Sequence, residues 1–470
     1  MIGDELKYHI LQSFGFPPTT EQAHAISVFS QFVLDRDDRV AMILRGSAGT
    51  GKTTLAGAVV RAMVALKQKM VLLAPTGRAA KVFAHHAGHA AYTIHRRIYR
   101  QRTAGDLSAF NLNVNLQRDT LYIVDEASMV SNGNGRENTP FGSGCLLDDL
   151  MQYVYGADQN CRLLLIGDPA QLPPVGEAES PALMASVLRG YGMRVYEADL
   201  NEVLRQAQES GILYNATVIR SMTALPCIRL HGFTDISMVP GDELIESLAT
   251  SYSRAGQDDT IVITRSNKRA NVYNQGIRNT ILDREEELCR GDQLMIVKNN
   301  YNLPPSEKTK KGLTFLANGD IATVQRVRNI HELYGFRFAE VTLQFPDYDD
   351  YELTTTVLLD TLTSESPSLT REQQQQLYDR VMEDYADIPL KQDRLKKLKQ
   401  DRYYNALQVK FAYAVTCHKA QGGQWSHVYI DQGYMADDML TVDYIHWLYT
   451  AFTRATDRLF LVNWPKAQIV

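Results

Sequence analysis

The sequence predicts an α/β protein built on two parallel sheets, with a β-hairpin inserted in the first and a small β-barrel in the second. Three observations carry this. Short apolar runs, VAMIL from Val40, MVLLA from Met70, TLYIV from Thr120 and RLLLI from Arg162, each end in a polar turn and lead into the next segment. The same alternation restarts at Asp259-Thr260-Ile261-Val262-Ile263 and continues to Val462. Between the two, residues 291–358 are strand-rich. Strands that alternate with helices imply parallel pairing, because each crossover must return to the same end of the sheet. The expected division is 1–204 for the first unit, 205–287 with 409–470 for the second, and 288–408 for the barrel and a charged helical segment.

Composition bounds the classes. At 470 residues the chain exceeds one ordinary domain. A hydrophobic content of 44% and a charged content of 22% are those of a globular protein. No run approaches the ~18 apolar residues of a membrane span. The start, MIGDELKYHILQ, has neither the basic region nor the apolar core of a signal peptide, so a cytoplasmic location is expected. Five scattered cysteines without a C-x-x-C pair suggest neither a disulfide framework nor a zinc or iron–sulfur site. A net charge of −5 is unusual for a nucleic-acid binder. It does not exclude one, since a narrow single-strand groove needs only local positive charge and stacking surfaces.

In chain order, Phe16-Pro17-Pro18-Thr19-Thr20 opens a helix that Thr19 or Thr20 can cap. Gln22 stands where several nucleic-acid-dependent ATPases place a glutamine that reads the adenine edge; its neighbours alone suggest a solvated helix surface. Next comes Gly46-Ser47-Ala48-Gly49-Thr50-Gly51-Lys52-Thr53-Thr54, between an apolar strand and a helix-forming run. Its glycines let backbone N–H groups approach oxygen closely, and the helix start adds unpaired N–H groups and positive dipole. Lys52 can reach the β- and γ-phosphates and Thr53 can hold magnesium, so this loop predicts a bound nucleoside triphosphate.

The second strand ends in Pro75-Thr76-Gly77, a turn and helix start able to hold a phosphodiester. Ala91 to Arg97 adds Thr93 and His95 in a loop of hydroxyl, imidazole and guanidinium groups suited to phosphate contact. His85, His86 and His89 lack an acidic partner and do not form a metal motif. Residues 99–117 alternate around a polar turn, as a hairpin does. The strand ending at Val124 delivers Asp125 and Glu126, one carboxylate for Mg²⁺ and one to polarise the attacking water. Gln171, in GDPAQLPPVG, is placed to sense a γ-phosphate, with prolines stiffening its loop. The second unit offers TRSN from Thr264, TCHKAQGGQ from Thr416 and a helix ending at Thr453-Arg454, but no second P-loop. Arg371 to Tyr404 reads as a charged, solvated helical segment.

Taken in order, GSAGTGKT, APTGRAAK, YTIH, DEAS, GDPAQLPPVG, EVLRQ, TCHKAQG and YTAFTRA resemble the superfamily 1B DNA helicases of the RecD, Dda and Pif type. The resemblance spans roughly Gln22 to Val462. It implies two RecA-like domains that clamp ATP and Mg²⁺ between them and pass a single DNA strand across both. On that likeness Lys52 and Thr53 are the phosphate and magnesium residues, Asp125 the magnesium carboxylate, Glu126 the catalytic base and Gln171 the γ-phosphate sensor. Arg205 and Arg454 match the arginine fingers, and Gly422 an ATP contact. Thr76, His95, Asn267, Thr416 and His418 match positions that touch the strand, flanked by Pro75, Gly77 and Thr93. The hairpin looks like the duplex-splitting pin, with Phe110 as its stacking tip, and the barrel like the SH3-like insertion. Ala420 and Gln424 depart from the family's serine and acidic residue, so ATP contacts there do not carry over beyond Gly422. The implied partners are single-stranded and forked DNA, with recombination or repair proteins as further candidates, and the motor is expected to act as a monomer. A DNA-stimulated translocase serving a nuclease complex, or a P-loop kinase or switch, are the competing readings. The latter would need no second sheet ending in Arg454.

Overall fold

β1 (Val40–Gly46) is buried on both faces, and this explains why its sequence is a continuous apolar run instead of an alternating one. Val40, Met42 and Leu44 face one core layer with the helices Ile2–Phe14, Thr20–Leu34 and Lys52–Ala65. Ala41 and Ile43 face the opposite layer, shared with the helix Leu146–Tyr155. The computed structural model describes residues 2–101, 110–133, 142–157, 159–203, 209–222, 227–300, 316–435, 439 and 441–470.

The first sheet takes β1 with β2 (Lys69–Ala74), β3 (Ala91–Thr93), and, beyond the ribbon β4 (Tyr99–Gln101) and β5 (Phe110–Leu112), β6 (Thr120–Val124), β7 (Arg162–Gly167) and β8 (Arg194–Leu200). Its order is β3-β2-β6-β7-β1-β8, parallel throughout. All the polar turns singled out in the sequence therefore leave from one edge, where ligands gather in open parallel sheets. The second sheet combines β9 (Ile236–Val239) and β10 (Thr260–Thr264) with three strands near the C-terminus, described below.

Between them, β11 (Gln293–Ile296), β12 (Ile321–Leu333), β13 (Phe336–Phe345), β14 (Tyr351–Leu358) and β15 (Leu407–Phe411) close into a barrel. The boundary expected at 409 is corrected by this closure: it falls inside β15, which pairs with β11 and β14 and belongs to the barrel. The apolar run Phe411 to Val415 is not one strand. The chain breaks there, and Asn274 holds the step by donating to Ala414 O (2.9 Å) and accepting from Ala414 N (2.8 Å). β16 (Ala414–Thr416), β17 (Trp425–Asp431) and β18 (Ala455–Val462) then complete the second sheet in the parallel order β16-β10-β17-β18-β9.

A buried ion cluster ties barrel to sheet. Asp292 accepts from Arg278 (3.0 Å), Arg284 (2.9 Å) and the Tyr413 hydroxyl (2.9 Å). A fully buried carboxylate is tolerable only when its oxygens are so occupied. The charged segment after β14 forms the helices Arg371–Glu383 and Lys391–Gln400, which pack Leu377, Val381 and Leu398 on Phe336 and Phe338 of the barrel.

The ribbon expected at 99–117 pairs Tyr99 with Leu112 and Gln101 with Phe110. Phe110 is not a stacking tip. It is 4% exposed and belongs to the first unit's core, at the foot of the ribbon. Tyr99 anchors that foot by donating to Asp149 Oδ2 at 2.6 Å. The connection 102–109 lies outside the described residues.

Candidate functional site

The loop after β1 is shaped by positive backbone angles at Gly49 (φ 76°) and Gly51 (φ 82°), a region that β-carbons disfavour. Gly51 is the N-cap of the helix Lys52–Ala65 and makes no side-chain cap bond. The first-turn N–H groups consequently have no side-chain acceptor and face the cleft, where helix dipole and amides favour an anion. Gly46 has no room for a side chain, since a Cβ would lie 2.9 Å from Lys52 Cγ and from Thr50 Oγ1. Lys52 Nζ folds back onto Gly46 O (2.5 Å) and Ser47 O (2.8 Å), 3.8 Å from Asp168 Oδ2.

The ends of β6 and β7 supply the second wall. Asp125 Oδ1 accepts from Glu126 N at 2.9 Å, and Glu126 takes a left-handed φ of 52°, which turns the chain sharply as it leaves the strand. Burial and the neighbouring Glu126 charge raise the Asp125 carboxyl above the ordinary range. Such a group gains from a cation. Gln171 is 6% exposed, and its Oε1 has no hydrogen-bond partner. A buried acceptor left open on a cleft wall suits a donor that arrives with a ligand, such as a water proton.

The third wall comes from the second unit. The helix Val442–Phe452 and the turn after it bring Thr453, Arg454 and Ala455 to the same cavity of about 470 Å³ that Lys52, Asp125, Glu126 and Gln171 line. Arg454 is 2% exposed and bonds to carbonyls of Thr450 and Gly423, 3.1 Å each. Its carboxylate neighbour, Glu126 Oε1, is 3.9 Å away, beyond a hydrogen bond. A buried guanidinium without a close carboxylate is a standing demand for an anion.

The other expected cleft residues divide. Ser47, Ala48, Gly49, Gly51, Thr53, Thr54 and Gly422 line the cavity, and so does Gln424. Gly46 and Thr50 shape the loop from behind; Thr50 Oγ1 donates to Ser47 O at 2.8 Å. Gln22 is neither solvated nor on the cleft wall. It is 1% exposed, accepts from Thr19 N (3.0 Å) in a capping box and donates to Thr50 O (2.9 Å), so it braces the loop. Arg205 lies outside the described residues.

A second concavity of about 420 Å³ runs beside the cleft between both units and the barrel, lined by Thr76, Arg78, Met129, Val175, His418 and Trp425 among others. Thr76 accepts from Ala79 N (3.2 Å) as a helix cap and borders this groove. Pro75 precedes it, half-buried. Thr93, paired with Ala74 in register, is buried and caps the next turn through Arg96 N (3.2 Å). Burial lowers His95 to about 4, which makes its imidazole a neutral hydrogen-bonding group. Thr264 and Thr416 are register partners, so Asn267 and Thr416 leave neighbouring strands of the second sheet. Gly77 is buried against the barrel. A Cβ there would meet Asp320 Oδ1 and the Tyr348 hydroxyl, both of the barrel, at 3.0 Å.

Sequence reasoning missed the contacts between units: Arg78 over the Trp425 ring at 4.1 Å, and the row His446, Tyr449, Thr450 on one helix face. The helical spacing of that row was legible; its partner loop was not.

Two family models fall on the chain in order. An AAA domain matches residues 19–223 and a UvrD-like helicase C-terminal domain matches residues 411–462. In this order they are similar to the superfamily 1B helicases of the RecD, Dda and Pif type. The chain is 26% identical over 323 residues to the ATP-dependent RecD2 DNA helicase of Deinococcus radiodurans, covering 65% of this chain and 40% of that one. It is 21% identical over 362 residues to the ATP-dependent DNA helicase dda of Enterobacteria phage T4, covering 71% and 75%. A crystal structure of Pif1 helicase from Bacteroides with ADP-AlF3 and ssDNA superposes with a TM-score of 0.48 at 16% identity, covering 97% of this chain and 95% of that one. The chain thus spans less than half the length of its RecD2 relative. No described helix is long and apolar enough to cross a membrane.

Proposed function

We propose that the protein is an ATP-driven DNA helicase that moves 5′ to 3′ along a single strand and separates duplex ahead of it. The observation that carries this is the composite cleft. A P-loop, an acidic pair and a buried arginine from a second sheet share one cavity, with Arg454 3.9 Å from Glu126. A kinase or switch with one nucleotide-binding unit has no need of a second sheet to deliver that arginine.

In this reading the uncapped amides of Gly49, Gly51, Lys52 and Thr53 bind phosphate oxygens and Lys52 exchanges its carbonyl partners for them. Thr53 and Asp125 would hold Mg²⁺, which when bound neutralises phosphate charge as a Lewis acid. Glu126 accepts a proton from the attacking water, oriented by the open Oε1 of Gln171. Arg454, joined by Arg205, stabilises the charge that develops on the transferred phosphoryl group. Because Arg454 belongs to the second unit, hydrolysis registers whether the units are closed. The groove bordered by Thr76 and His418 is where the strand would lie, with Asn267 and Thr416 on the second sheet and Thr93 and His95 on the first. Polarity rests on the family likeness.

The test is ATP hydrolysis and strand separation on 5′- and 3′-tailed duplexes. The expected result is DNA-stimulated hydrolysis, unwinding of the 5′-tailed substrate only, and loss of about 10²–10³-fold in turnover with Lys52→Ala. Unwinding confined to 3′ tails overturns the polarity, and hydrolysis indifferent to DNA overturns the motor.

A further inference from the structure

Tyr449 has no role in the mechanism above, yet it touches the P-loop. Its hydroxyl accepts from Ala48 N at 2.8 Å and donates to Asp168 Oδ2 at 2.6 Å. It therefore bridges the ends of two strands of the first sheet from a helix of the second unit. The ring is 1% exposed and Asp168 is also 1% exposed. Burial beside that carboxylate keeps the phenol protonated, far above its usual range. Both partners matter to the cleft. Ala48 is in the phosphate-binding turn, and Asp168 lies 3.8 Å from Lys52 Nζ and heads the loop that carries Gln171.

The same helix face continues the docking. Thr450 Oγ1 accepts from Leu172 N at 2.8 Å, and His446 Nδ1 faces the carbonyls of Ala170 (2.9 Å) and Gln171 (3.0 Å). Of these contacts, only that of Tyr449 reaches the phosphate loop itself. A phenol that both accepts and donates is needed there, since a phenylalanine leaves a buried N–H and a buried carboxylate without that partner.

We propose that Tyr449 is a positioning residue for ATP turnover. Its hydroxyl sets the Ala48 amide and the Asp168 carboxylate, and through Asp168 the Lys52 ammonium, only while the second unit is seated. This gives domain closure a second route to the cleft, separate from the charge of Arg454. The inference rests on the ATPase reading above.

The experiment compares the full chain with Tyr449→Phe and Thr450→Val. It measures kcat and KM for ATP with single-stranded DNA, and DNA affinity with and without ADP–aluminium fluoride. Tyr449→Phe is expected to lower kcat about tenfold or more, the loss of one hydrogen bond to a charged group, with KM changed less than about twofold. Its nucleotide-free DNA affinity stays at the level of the unaltered chain, while the nucleotide-induced change in affinity shrinks. Thr450→Val, which removes an interface bond that does not reach the P-loop, keeps most of kcat. Unaltered kcat in Tyr449→Phe, an equal loss in Thr450→Val, or loss of nucleotide-free DNA binding in Tyr449→Phe overturns the role of Tyr449 alone. If the unaltered chain hydrolyses no ATP, the functional reading fails with it.

Discussion

The two sheets contain the same strand–helix junction built to opposite ends. After β1 the helix Lys52–Ala65 begins at Gly51, left-handed and without a side-chain cap. After β10 the helix Asn267–Gly276 begins at Ser266, whose hydroxyl accepts from Arg269 N at 3.2 Å. A capped helix spends an orphan amide on its own side chain; an uncapped one keeps it for a ligand. On the proposed reading the first junction receives phosphate, and the second is a capped turn that displays Arg265 and Asn267. The second sheet answers with Arg454 instead of a loop. Two units of like topology become non-equivalent halves of one site, and that asymmetry is what the proposed motor would require.

The contrast can be tested at several strengths. Removing the second half has the largest expected effect: Arg454→Ala should lower single-turnover ATP hydrolysis by about 10³-fold or more while a fluorescent nucleotide still binds. Equal loss of binding and turnover would instead make Arg454 part of the ground-state cradle.

Next comes the barrel, which only the second unit carries and which rests on the first. Asp320 accepts from Ala317 N (2.7 Å) and the Tyr348 hydroxyl (2.8 Å) beneath Gly77, and burial pushes its carboxyl up to about 7. The folded state then holds a proton that the unfolded chain releases near the ordinary value of 3.8. Its contribution to stability is fully present below that value and is lost as pH rises to about 7. Urea unfolding across this range should show Asp320→Asn gaining on the parent as pH rises. A constant difference would mean that the carboxyl is ionised throughout.

The smallest effect tests the second junction. Ser266→Ala should cost about 1 kcal/mol of stability in urea and leave the KM for ATP where it was. A shifted KM would show that the cap communicates with the cleft.

Much of this was legible in the chain. Lys52, Thr53, Asp125, Glu126 and Gln171 stand in the turns and helix starts that follow apolar strands, and a strand end in a parallel sheet has one place to go. Phe110 was misread for the converse reason. Alternation shows that a ribbon forms but not how far its foot sinks into a core, and the packing of Tyr99 and Phe110 against Leu147 and Leu150 is a long-range matter. Gln22 was read as an adenine contact or a solvated surface residue, whereas its two amide partners, in a capping box and the phosphate loop, lie three and twenty-eight residues away.

By itself the sequence determined the strand–turn–helix units, the glycine positions that force the phosphate loop, and the acidic and glutamine residues at strand ends. These depend on local backbone geometry and on periods of two and 3.6 residues. Arg454 facing the acidic pair was implied only by the family resemblance; the tertiary structure alone decided the contacts themselves, Arg454 at Glu126, Tyr449 at Ala48, and the barrel's Asp320 at Gly77. Those pairings join residues hundreds of positions apart, and no local propensity encodes them. They follow from how two sheets and a barrel pack, and the function lies in the space between.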